Sequence, residues 1–300
     1  MYKESAIHYM GNKFKLLPQI LPYFPKDIDT FYDLFGGSGV VSMNVNAKNY
    51  VLNDFNEHIY NLWNMFKTKS SDEIISYCYE MRDKFNFSIN ETVKTKIAEN
   101  NKIPFQKFRD YVNENPSTLG YYCLTFYSFC NQFRFSQQKK FNIPVGNGYF
   151  KKQSESLIKD MCNFLSNNNV LLENKSYEEV ELKSPNECFI YADIPYTNTN
   201  AVYNEISGDI GGWTEKKNDY VFFKYCEELN QKGYKWAISN VFCNKRKENT
   251  HLIKWCKDNN WIVHHLNMKY ASHGIDENIT DEVLICNYNS DYKDNIFDMF

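Results

Sequence analysis

The 300-residue chain has a formal net charge of −3 and 43% hydrophobic residues, enough for one large domain or a core domain carrying an inserted module. No stretch approaches the roughly 18 to 20 apolar residues of a transmembrane helix, and the N-terminal MYKESAIHYMGNK lacks the character of a secretory signal. The 9 cysteines, odd in number and without a C-x-x-C pair, argue against a disulfide framework or a structural zinc and for a reducing cytoplasm.

In chain order, Thr30 to Phe35 is a short aromatic run that predicts a strand, and it ends in the glycine-rich FGGSG. Val40 to Ala47 predicts a helix, and Tyr50 to Asn53 a second strand ending at Asp54. Phe55 to Phe66 places Ile59, Leu62, Trp63 and Phe66 at helical spacing. A β-α-β-α order of this kind implies a parallel sheet. Lys67 to Asn115 reads as helical and highly charged, and Leu119 to Phe129 as a buried aromatic helix. Asn131 to Tyr149 predicts a β-hairpin or extended loop with basic residues at its tip. Strands are predicted over Cys188–Ala192, Lys235–Ser239, Ile262–Met268 and Glu282–Cys286, with a helix over Tyr220–Gln231. The pattern is an α/β core split by an inserted module.

Charge follows that division. Residues 67–160 carry 15 basic and 10 acidic side chains, whereas residues 161–300 carry 14 and 21. Between Glu114 and Glu155 there is no acid, while Arg134, Lys139, Lys140, Lys151 and Lys152 lie in the gap. A local cationic surface is what a phosphate backbone needs, and a solvated basic face is the competing reading.

Two places carry chemistry. Asp33-Leu34-Phe35-Gly36-Gly37-Ser38-Gly39 sits where a strand turns toward a helix. Glycines there let the backbone approach a ligand, and a helix N-terminus favours an anionic group. Asp54 ends the next strand, where a carboxylate can accept both hydroxyls of a ribose, so the pair points to an adenosine-type cofactor. Neither G-x-G-x-x-G nor a Walker lysine is present, which disfavours a dinucleotide or ATP. The second place is Asp193-Ile194-Pro195-Tyr196, at the end of a hydrophobic strand. An aromatic exocyclic amine is a poor nucleophile because its lone pair is delocalised. Two acceptors, the Asp193 carboxylate and the Ile194 carbonyl, can hold its hydrogens and turn the lone pair toward an incoming methyl group. Tyr196 can stack on the base and Pro195 can fix the turn, so that positioning and electrostatics would supply the catalysis without a metal; a strand end followed by an ordinary turn is the competing reading, and for D-x-P-Y by itself the stronger one. Lys245-Arg246-Lys247 reads as a solvated loop, Trp213 after Gly211-Gly212 as packing, and neither His264 nor His265 as a ligand.

In this order, FGGSG, Asp54 and DIPY resemble the Dam family of DNA adenine methyltransferases (the D12 class), especially its phage-encoded members. Tyr9-Met10-Gly11-Asn12-Lys13 with Leu16-Leu17-Pro18 is similar to the family's Y-x-G-N-K motif. Asn131-x-x-Arg134 and Phe141-Asn142-x-Pro144-x-Gly146 resemble its recognition hairpin, and Ser239-Asn240-Val241, Lys247-Glu248-Asn249-Thr250 and Thr280-Asp281-Glu282-Val283 its C-terminal segments. The resemblance implies a Rossmann-like class I methyltransferase sheet, mostly parallel with an antiparallel last strand. Residues 1–66 and 166–300 would form the catalytic domain and 67–165 an inserted target-recognition domain. It implies S-adenosylmethionine held by Tyr9, Lys13, Asp33, Phe35, Gly36, Gly37, Gly39, Asp54 and Asp193, and no metal. DNA would be contacted by Asn131, Gln132, Arg134, Ser136, Lys139 and Lys140, with GATC as the leading site. The implied partner is duplex DNA, acted on by a monomer with a possible cognate restriction endonuclease, in the cytoplasm of a bacterium or of a phage's host. Two departures stand out. Ile194 replaces the second residue of the usual DPPY, which leaves the backbone carbonyl in place, and Gly146-Asn147-Gly148 lacks the basic residue that GATC readers carry there. The other readings are amine methylation of cytosine, RNA or a glutamine amide, and a DNA-binding relative without activity.

Overall fold

The computed structural model describes residues 1–9, 11–89, 97–136, 138–196, 213, 218–245, 247–266 and 280–292. Its centre is β1 (Ile28–Asp33), paired in parallel with β2 (Ala47–Asn53) on one side and β4 (Cys188–Asp193) on the other. β3 (Asn169–Glu173) adds in parallel to β2, and β5 (Lys235–Asn244) to β4. The last strand, β8 (Thr280–Cys286), runs antiparallel to both β5 and β7 (Ile262–Leu266), and the short β6 (Lys247–Glu248) pairs with β5. The order β3-β2-β1-β4-β5-β8-β7 is the expected class I methyltransferase sheet.

Alternation along the central strands explains why helices cover both faces. Phe31 of β1 and Phe189 and Tyr191 of β4 point into one core, while Tyr32, Ile190 and Ala192 point into the other. A strand buried on both sides reads as a continuous apolar run, which is why these strands are legible in the sequence. The second core is closed by α7 (Tyr220–Gln231) and α8 (Thr250–Asn259), through Phe222, Phe223 and Trp255. The first receives the short α1 (Leu17–Ile20) and then the long segment between β2 and β3. That segment holds α2 (Glu57–Thr68), α3 (Ser71–Lys84), α4 (Ile97–Glu114), α5 (Thr118–Thr125), a hairpin, and α6 (Lys152–Asn167). Side-chain caps start three of these helices: Asn56, Ser70 and Ser117 accept the backbone N–H of His58, Glu73 and Gly120.

Three expectations change. The helix predicted over Val40–Ala47 is a single 3-10 turn, Ser42–Asn44. Val45 is already extended and β2 begins at Ala47, so the chain has no room for a second turn; Asn44 closes the first by donating to the Val40 carbonyl. The glycine loop therefore has no helix dipole behind it, and the anion preference read from one is withdrawn. The helix predicted to reach Phe129 ends at Thr125: Tyr127 and Ser128 close tight turns onto the Leu124 and Thr125 carbonyls, and Ser128 is extended. β3 and α8 were not predicted at all. The strand predicted over Ile262–Met268 is described to Leu266; Met268, like Met10, Gly211, Gly212 and Arg246, lies outside the described residues.

A candidate cofactor and active site

A cavity of about 670 Å³ opens at the carboxyl ends of β1, β2 and β4. In an open α/β sheet this is where ligands bind, at the point where strand order reverses. Its size lies within the range of small-molecule sites. Asp33 at the end of β1, Asp54 just beyond β2 and Asp193 at the end of β4 all line it. The backbone N–H of Gly37 donates to Asp54 Oδ2 and that of Asn56 to Oδ1, both at 2.9 Å. A carboxylate has about four acceptor positions, so two remain for hydroxyls of a ligand. Burial pushes the Asp54 carboxyl up to about 6 against these two backbone bonds. Asp33 is pushed up further, to about 7, by burial and by the charges of Asp193 and Asp54. Ser42 Oγ donates to its Oδ2 at 2.7 Å, while its buried Oδ1 has no partner. Four acids, Glu57 being the fourth, and three lysines, Lys13, Lys139 and Lys175, line the cavity, so its wall offers both signs of charge to a ligand.

The glycine loop passes close to its neighbours. A Cβ at Gly36 would stand 2.7 Å from the Trp63 ring, and one at Gly37, where φ is +49°, 3.1 Å from the Tyr9 ring. Gly39, at φ +73°, makes the turn, donating to the Gly36 carbonyl at 2.7 Å, and does not line the cavity. Phe35 lies 5.4 Å from Tyr177 and 5.5 Å from Trp213, so three aromatic side chains wall one end. Trp213 Nε1 donates to Asp219, which His251 Nε2 also meets at 2.8 Å.

At the other end, buried Lys13 donates to Asp193 Oδ2 at 2.7 Å and to the Gly11 carbonyl at 2.8 Å. Burial raises the Asp193 carboxyl, opposed by the Lys13 charge and hydrogen bond. Pro195 lines the cavity, whereas the Ile194 and Tyr196 side chains do not. Ile194 packs in the second core, and the Tyr196 hydroxyl lies 3.3 Å from Asp193 Oδ1 and 3.0 Å from Glu282 Oε2.

The hairpin predicted over Asn131–Tyr149 is present, with Phe135 opposite Phe141 and a turn closed by Ser136 N–H to the Lys140 carbonyl at 2.8 Å. Its tip borders the cavity: Phe135, Ser136 and Lys139 line it together with His58 of α2. The His58 ring stacks on Phe135 with centroids 3.9 Å apart, and burial pushes its imidazole below the ordinary value. Asn131, Gln132, Arg134 and Lys140 stand away from the cavity, with Arg134 Nε donating to Asn142 Oδ1 at 3.1 Å. Lys139 and Lys140 are exposed. Of the side residues, His264 stacks on Tyr23 and His265 Nδ1 meets Asp281 at 2.8 Å. Tyr177, His58 and Glu282 had no assigned role in the sequence. Glu282 stood inside a motif that resembled the family, but nothing local marked the other two.

The fold is that of a class I methyltransferase, with carboxylates and aromatic rings gathered around one pocket at the strand ends. The comparisons narrow the class. Residues 9–270 match the family model of the D12 class N6 adenine-specific DNA methyltransferases. The chain is 32% identical over 293 residues to modification methylase StsI of Streptococcus sanguinis, covering 96% of this chain and 43% of that protein. The same figures hold for type II methyltransferase M.FokI of Planomicrobium okeanokoites. Against a DNA adenine methylase of Vibrio cholerae the identity is 22% over 296 residues, covering 95% and 96%. The chain belongs to the D12 class N6 adenine-specific DNA methyltransferase family. It spans less than half the length of the StsI and M.FokI methylases it matches. Members of the family use S-adenosylmethionine as methyl donor.

Proposed function

We propose that this chain transfers a methyl group from S-adenosylmethionine to N6 of adenine in duplex DNA. One observation carries the reading: a single cavity brings together Asp54 and Asp33, the Asp193 acceptor, and the tip of the basic hairpin. The cofactor fits the residues present. Asp54 keeps acceptor capacity for its ribose, Phe35, Tyr177 and Trp213 offer faces and edges to its adenine, and Asp33, its carboxyl buried in the cavity wall, lends negative charge to the side where the ammonium would lie. Bound there, it supplies an electrophilic methyl group.

The chain's own residues do the rest. The target base leaves the stack at a cost of a few kcal/mol. Asp193 Oδ1 and the Ile194 carbonyl accept the two amine hydrogens, and Pro195 holds Ile194 extended so that this carbonyl keeps its aim. Because the Ile194 side chain is buried in the core, its exchange for the family's proline leaves the acceptor in place. Lys13 fixes Asp193 through Oδ2 and leaves Oδ1 toward the substrate. Tyr196 stacks on the base. Residues 67–165 form the recognition module, with Arg134 reading a base, Asn131, Gln132 and Ser136 beside it, and Lys139 and Lys140 on phosphates. The protein acts as a monomer in the cytoplasm, beside a cognate restriction endonuclease. Among the described residues no helix is long and apolar enough to cross a membrane.

The test is tritium transfer from labelled S-adenosylmethionine to GATC duplex, random duplex, RNA and protein, with wild type and Asp193→Ala. Transfer to duplex adenine that Asp193→Ala abolishes, with duplex binding retained, is the expected result. Equal transfer by the two proteins refutes it, and label confined to RNA, cytosine or protein moves the substrate.

A further inference from the structure

The Tyr196 hydroxyl lies between two acids, 3.0 Å from Glu282 Oε2 and 3.3 Å from Asp193 Oδ1. A phenol has one hydrogen to donate, so it satisfies one of them at a time. Glu282 projects from β8, where it is 6% exposed and registered against Val241 of β5 and Leu266 of β7. Its backbone is held between two neighbouring strands. Asp193 Oδ2 is already committed to Lys13 at 2.7 Å, and the Lys13 ammonium also sits 4.9 Å from the Tyr196 ring centroid. Oδ1 is therefore the one carboxylate oxygen that Lys13 does not occupy.

We propose that Glu282 is a positioning residue that takes the Tyr196 hydroxyl hydrogen and so keeps Asp193 Oδ1 open for the target amine. The inference rests on the reading of Asp193 and Tyr196 under Proposed function. The distances favour this assignment, since the shorter contact is the one to Glu282. Without the glutamate, the phenol hydrogen turns to Oδ1 and competes there with the amine. The same bond anchors the ring from its far end, which fixes the plane that the base must meet.

The experiment is single-turnover methyl transfer at saturating cofactor and duplex, for wild type, Glu282→Ala, Tyr196→Phe and the double variant, with cofactor and duplex affinities measured alongside. Glu282→Ala should slow transfer by about ten- to a hundredfold, the range for a hydrogen bond to a charged group, while both affinities hold. Adding Tyr196→Phe removes the competing hydroxyl, so the double variant should be faster than Glu282→Ala alone. Glu282→Gln keeps an acceptor for the phenol and should lose less than Glu282→Ala. A purely structural role predicts no recovery. A double variant no faster than Glu282→Ala overturns the inference and leaves the proposed function standing. A wild-type protein that transfers no methyl group overturns both.

Discussion

Asp33→Asn separates what the buried acid costs the fold from what it contributes to binding. The carboxyl is 1% exposed, with one oxygen bonded to Ser42 and the other without a partner. Its proton is held up to about pH 7 in the folded chain, against an ordinary value of 3.8. Across that window the folded state binds more protons than the unfolded one, so stability falls as pH rises from 3.8 toward 7. At about 1.4 kcal/mol per pH unit the loss at pH 8 is of the order of 4 kcal/mol. Asparagine removes the charge and still accepts from Ser42, but it buries an amide N–H₂ where Oδ1 lay, at a cost of about 1 to 3 kcal/mol. The net gain is about 2 kcal/mol, or roughly 4 °C in melting temperature for a chain of this size. Calorimetry from pH 4 to 8.5 should show the variant's advantage growing with pH and turning into a deficit of about 1 to 3 kcal/mol at the acid end. Titration with S-adenosylmethionine should show wild-type affinity rising between about pH 6 and 8 as Asp33 loses its proton, and a weaker, flatter dependence in the variant. A variant that melts at or below the wild-type temperature at pH 8 would refute the reasoning.

Asp54→Ala removes the acceptor shared by Gly37 and Asn56 and offered to the ribose, and should weaken cofactor binding by about 1.5 to 3 kcal/mol in a calorimetric titration; an unchanged affinity would take Asp54 out of the site. Gly36→Ala drives a methyl into Trp63 and should destabilise the protein by about 1 to 3 kcal/mol in a denaturant melt. Arg134→Ala should relax base preference at one position by about 1 to 3 kcal/mol in competition binding, whereas equal weakening on specific and random duplexes would assign Arg134 to phosphate instead.

The parts of the molecule legible in the sequence are those whose signal is local. β1 and β4 announce themselves because both faces are buried, and FGGSG, Asp54 and DIPY because turn chemistry and strand ends coincide. β3 escaped notice for the opposite reason. It is an edge strand of 5 residues after an Asn-rich run, and Val170 is its one fully buried side chain. The turn at Ser42 was misread as a helix because apolar spacing does not reveal where the next strand must begin. Within the site, the Glu282 contact to Tyr196 spans 86 positions and joins β8 to the segment that follows β4, a strand not adjacent to β8, so only the folded sheet makes it visible. The hairpin tip at the cavity is likewise a product of packing, through the His58 stack on Phe135.

β2 and β3 are parallel neighbours, and such a pair needs a crossover of about a dozen residues. Here more than a hundred residues separate them, and α2 and α6 pack against each other to make the return. What lies between those two helices is surplus to the register of the sheet. The stretch still shares a core with the sheet, and its Tyr122 hydroxyl donates to the Ala6 carbonyl, so an exchange there has to keep that packing for Asp33, Asp54 and Asp193 to stay where they are. Under the proposed function, an exchange that keeps this packing changes the target and leaves the methylating half intact. The contacts of His58 with Phe135 and Phe133 at the cavity are among those that such an exchange must rebuild.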